Sequence, residues 1–64
     1  MVYQLPRPED LIGSFRRFGE TGPVYKVTGI VQGSDAREMS IQLPETGEEL
    51  ERAYVHVLRD PEES

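Results

Sequence analysis

The stretch "ETGEELERAYVHVLRDP", residues 45–61, admits two folds, and the choice between them decides the architecture. Read at a period of 3.6, Thr46 with Glu49 forms a capping box, and Leu50, Ala53, Tyr54, Val57 and Leu58 make one apolar face. That reading gives a helix over residues 47–59, stopped by Pro61. The competing reading makes "PETG" a turn, residues 48–52 a strand, and only residues 53–59 a short helix. A helix therefore starts somewhere between residues 47 and 53. In the first case it covers a three-stranded sheet; in the second the sheet gains a fourth strand.

The segments upstream favour a sheet. "EMSIQL" at 38–43 alternates cleanly, with Met39, Ile41 and Leu43 inward and Glu38, Ser40 and Gln42 outward, and Pro44 ends it. "QGSDAR" at 32–37 is a turn, and "VYKVTGIV" at 24–31 is a strand dense in β-branched and aromatic residues. Tyr25 and Val27 share a face while Ile30 has the opposite parity, so a bulge or bend near Gly29 is expected. "LIGSFRRF" at 11–18 fits a helix ended by Gly19 or a strand. The loop "GETGP" makes residues 12–18 the natural hairpin partner of 24–31. Phe15 is expected opposite Val27, Arg16 opposite Lys26 and Arg17 opposite Tyr25, with Glu38 or Glu51 relieving the paired cations. Residues 1–10 read as an arm containing Pro6 and Pro8, with one helical turn at "RPEDL"; residues 11–64 read as a single small domain.

Sixty-four residues bury a core of roughly a dozen side chains. The candidates are Leu11, Ile12, Phe15, Phe18, Val24, Tyr25, Val27, Ile30, Val31, Met39, Ile41, Leu43, Leu50, Tyr54, Val57 and Leu58. Cysteine is absent and His56 is the one imidazole, which excludes disulfides and thiolate zinc sites. No apolar run approaches a membrane span, and a cytoplasmic setting is expected. Twelve acids against seven bases give a net charge of -5, unevenly spread: the early hairpin is basic and the second half acidic.

The layout "LIGSFRRFG…GPVYKV", then "ETGEEL", then "VLRDPEE" resembles a group of very short bacterial proteins of unknown function. That resemblance implies a bacterial protein of uncharacterised role and brings no catalytic residues with it. The order aromatic–basic–aromatic, turn, tyrosine–valine strand is also similar to SH3-like small barrels. The expected fold is mainly β: a bent antiparallel meander of three to four strands, curled toward an SH3-like barrel, with a short C-terminal helix. The alternative is α+β, a three-stranded sheet covered by a helix over residues 47–59.

Phe15, Arg16, Arg17, Phe18, Tyr25 and Lys26 are the candidate binding residues, since aromatics interleaved with cations hold single-stranded nucleic acid by stacking and backbone attraction. If residues 12–18 form a strand, however, Arg16 and Arg17 point to opposite faces and do not act as one unit. Glu45, Glu48, Glu49 and Glu51 lack the spacing of a calcium loop and read as a solvated acidic surface. No catalytic residue, metal ligand or cofactor is assigned, and an enzyme is not expected. The favoured role is a protein-interaction module that binds a partner protein or a second copy; a nucleic-acid-binding small barrel is the second reading. No membrane partner is expected.

Overall fold

A computed structural model describes residues 5–63. The elements run α1 (Pro8–Leu11), β1 (Phe15–Arg17), β2 (Val24–Ile30), β3 (Glu38–Gln42), β4 (Glu49–Ala53), α2 (Tyr54–Arg59) and β5 (Glu62–Glu63). The strands form one antiparallel sheet in the order β4-β3-β2-β1-β5. The mainly β reading holds, and so does the hairpin reading of residues 45–61. Of the expected arm, residues 1–4 lie outside the described residues. The turn at Pro8–Leu11 is present, with the Arg7 amide donating to Asp10 Oδ2 at 3.2 Å.

The helix over residues 47–59 does not form, because β3 would be left with an unpaired edge. Residues 49–53 satisfy that edge through the register Gln42↔Glu49 to Glu38↔Ala53. Gly47, with φ +77°, makes the preceding turn, and Thr46 Oγ1 accepts from the Glu48 amide instead of capping a helix at Glu49. Only the second half of the apolar pattern is helical. Tyr54, Val57 and Leu58 pack on the core from α2, whereas Leu50 sits on the strand and stays 39% exposed.

The sheet does not close into an SH3-like barrel. Closure would require β4 to pair with β5, but these strands lie at opposite ends of the sheet order. β5 is two residues long and β1 three, too short to carry a closing ladder. The chain leaves β4 into α2 and only then reaches the far edge as β5, so a helix takes the place of a closing strand on the inner face.

That inner face holds Leu11, Tyr25, Val27, Met39, Ile41 and Val57, all buried. The register shift between Val27 and Gly29 lets Ile30 pair with Met39, on the same side as Val27 paired with Ile41. The parity switch expected near Gly29 is therefore a bulge. Ile12 and Phe15, expected in the core, are exposed.

Two loop positions carry measurable backbone constraints. A Cβ on Gly22 would sit 2.2 Å from the Phe18 carbonyl oxygen, while Ala36 occupies the left-handed region at φ 61°. In chemical denaturation Gly22→Ala is expected to lose about 2 kcal/mol, because the close approach is to backbone. Ala36→Gly is expected to gain up to about 1 kcal/mol by removing left-handed strain. Equal midpoints for the two variants would contradict both assignments.

Candidate functional site

The strand geometry separates the six candidate binding residues. β1 pairs with β2 as Phe15↔Lys26, Arg16↔Tyr25 and Arg17↔Val24, one residue away from the register expected from the sequence. Phe15, Arg17 and Lys26 therefore lie on the outer face, and Arg16 and Tyr25 on the inner face, with Phe18 packed beside Tyr25. The arginine pair is split, as a strand requires. No cation faces another cation across β1 and β2, so Glu38 and Glu51 are not needed to relieve one. The acids beside the arginines are Glu62 and Glu63 of β5.

On the inner face the chemistry converges on Asp60, at the end of α2. Its carboxylate accepts four bonds: Tyr25 hydroxyl to Oδ2 at 2.5 Å, Arg52 Nε to Oδ2 at 2.6 Å, Arg52 Nη2 to Oδ1 at 3.0 Å, and the Gly19 amide to Oδ1 at 3.2 Å. The Arg52 guanidinium lies 4.7 Å from the Phe18 ring centroid, and that ring packs at 4.6 Å against Tyr25. Arg16 Nη1 donates to the carbonyls of Val57 and Asp60, both at 3.1 Å, closing the C-terminal end of α2. Its Nε is buried with no hydrogen-bond partner among the described residues. Arg16 is thus a helix-capping group, and replacing it disturbs the fold before it disturbs any surface.

Burial pushes the Tyr25 hydroxyl well above the ordinary phenol range, and its bond to the charged Asp60 adds to that. Burial also opposes charge on Asp60. The bonds from Arg52, Tyr25 and the Gly19 amide outweigh it and hold the carboxyl below the usual range. The Asp60 bond raises Arg52 further. The cluster faces inward and its four bonds to the carboxylate are made from within the chain, so it locks these elements together. Tyr25 is the one sequence signal for it: a tyrosine at a core-facing strand position needs a buried partner for its hydroxyl.

The outer face has different properties. Phe15 is 41% exposed, with Lys26 Nζ 5.7 Å from its ring centroid. Arg17 binds both carboxylate oxygens of Glu63, at 3.2 and 3.3 Å, and donates to the Gly22 carbonyl at 3.1 Å. A groove of about 490 Å³ runs between Phe15, Arg17, Pro23, Val24, Pro44 and Glu45. Beyond it, at the β4 end of the sheet, a hollow of about 230 Å³ is lined by Ser40, Glu49, Leu50 and Glu51. Glu45, Glu48, Glu49 and Glu51 are all exposed, as is His56. Of the three cations expected to grip a polyanion, Arg16 is buried and Arg17 is held by Glu63, which leaves Lys26.

The sequence of residues 3–64 matches the family of unknown function DUF5397, and the chain belongs to that family. No curated protein matches the sequence. No described helix is long and apolar enough to cross a membrane.

The lock has a defined pH signature. A carboxyl depressed by folding contributes stability that is fully present above its unfolded value, about 3.9, and lost as pH falls through the lower folded value. Asp60→Asn is expected to lose about 3 kcal/mol at pH 7, because Arg52 and Tyr25 lose their charged acceptor. Urea midpoints measured from pH 7 to pH 2 should show the gap between wild type and variant closing on the acid side. A gap independent of pH would mean that Asp60 is not the linked group.

Proposed function

We propose that this protein is a non-catalytic protein-interaction module whose contact surface is the exposed edge of β4. One observation carries the reading: among the described residues, the sheet ends on one side in a five-residue strand that pairs with β3 alone. The opposite edge is the two-residue β5. An edge of unpaired amides and carbonyls is a template for another chain, and strand addition is a recurrent mode of peptide capture. The absence of catalysis in this reading rests on the disposition of the titratable groups. Asp60 has its acceptor sites filled from within, and the exposed acids spread along β4 and its turn without a partnered base. A cytoplasmic, bacterial setting belongs to the same proposal.

Between a partner protein and a second copy, charge favours the partner, since the edge presents Glu49 and Glu51 to whatever pairs with it.

The test is affinity capture from the native cell with three baits: wild type, Glu51→Pro and Phe15→Ala. Proline is tolerated on an edge strand where its missing N–H faces outward. Proteins retained by wild type and by Phe15→Ala but lost with Glu51→Pro would support the β4 edge. Loss with Phe15→Ala alone would move the contact to the outer groove. An identical set with all three baits would remove the edge from the interaction.

A further inference from the structure

From the hydrogen-bond phase of β4 we infer the chemistry of the occupant: an extended segment that adds antiparallel to β4 and carries basic side chains at alternate positions. The inference rests on the interaction reading above and goes further in specifying the partner. Leu43 N–H donates to the Glu48 carbonyl at 2.9 Å, and Tyr54 N–H donates to the Arg37 carbonyl at 2.8 Å. These two bonds bracket β4, so by antiparallel alternation residues 48, 50, 52 and 54 direct their backbone groups toward β3. The amides and carbonyls of Glu49, Glu51 and Ala53 therefore point to the free edge.

In an antiparallel pair, residues directly opposite each other share a face, with Cβ atoms about 4.5–5.5 Å apart. Side chains facing Glu49 and Glu51 across an added strand would thus lie on the outer face. There both glutamates are exposed, and among the described residues neither makes an ion pair. Lysine or arginine at those two positions satisfies both acids. The hollow between Ser40, Glu49, Leu50 and Glu51 gives a long basic side chain somewhere to lie. The intervening residue falls opposite Leu50, on the face of Ile41, where an apolar side chain would cover the 39% of Leu50 that remains exposed. The pattern read along the partner is basic, apolar, basic.

The same phase disfavours a second copy. Of β4, Glu49, Glu51 and Ala53 present backbone groups outward, so the register centred on the strand puts Glu51 opposite itself, and the registers to either side put Glu49 opposite Glu51 or Arg52 opposite itself. Each places like charges directly across from each other.

The probe is the peptide acetyl-Thr-Val-Lys-Val-Lys-Thr-amide, with acetyl-Thr-Val-Glu-Val-Glu-Thr-amide as its control. Each is titrated into the isotope-labelled protein and followed by backbone amide NMR. The lysine peptide is expected to shift the Glu49, Glu51 and Ala53 amides, to weaken with added salt, and to bind about ten times more tightly than the glutamate peptide. In the double variant Glu49→Lys, Glu51→Lys the preference should reverse. Both side chains are exposed, and an unchanged spectrum elsewhere verifies that the fold is retained. Equal binding of the two peptides, or shifts confined to Phe15 and Val24, would overturn the inference. If Glu51→Pro still abolishes capture while the lysine peptide shows no preference, the edge stands as the interaction surface and the basic partner falls.

Discussion

The Asp60 carboxylate is the point on which this small domain depends. Among the described residues six apolar or aromatic side chains are buried, a core too small to hold two helices and five strands by area alone. Asp60 ties the β1–β2 loop through Gly19, β2 through Tyr25, and β4 through Arg52, from its own place at the end of α2. A buried carboxylate is costly unless its oxygens are satisfied, and here four donors satisfy them. Arg16 acts on the same helix end from β1, donating to the carbonyls of Val57 and Asp60. Three strands, the β1–β2 loop and α2 thus meet through two charged side chains of opposite sign.

That arrangement also shapes the surface. Folding draws Arg16 inward and fixes Arg17 to Glu63, so much of the positive charge of the early hairpin is engaged by the protein itself. The acids of residues 45–51 remain in solvent at the other end of the sheet. The unevenness visible along the chain therefore survives folding in an altered form, as an exposed acidic edge opposite a largely neutralised basic hairpin. In the role proposed for it, an edge that repels its own copies and attracts cationic strands would combine protection against self-association with selectivity for a partner.

Much of the sheet is legible in the residues. β2 and β3 follow from β-branched content and period-two alternation, and the bulge near Gly29 follows from the parity conflict between Val27 and Ile30. The splitting of Arg16 from Arg17 follows once β1 is a strand. The register of β1 does not, because a one-residue shift leaves local propensities unchanged. What selects it is the pairing of Arg16 with Tyr25 over a helix end that belongs to residues 54–60. The closing cluster is hidden for the same reason: "RDP" near the end of a chain reads as solvated polar sequence until the fold brings it beside Tyr25 and Gly19.

The sequence by itself determines a small, cysteine-free domain with strands over residues 24–31 and 38–43 and a helix that begins between residues 47 and 53, because alternation, turn residues and capping preferences act over a few neighbours. The tertiary structure alone decides residues 49–53. Their local pattern supports a helix, yet β3 has an edge to satisfy, and five residues of backbone pairing outweigh a capping box. It also decides that the sheet stays open. A two-residue β5 cannot close a ladder with β4, and that failure of closure is what leaves Glu49, Glu51 and Ala53 facing outward.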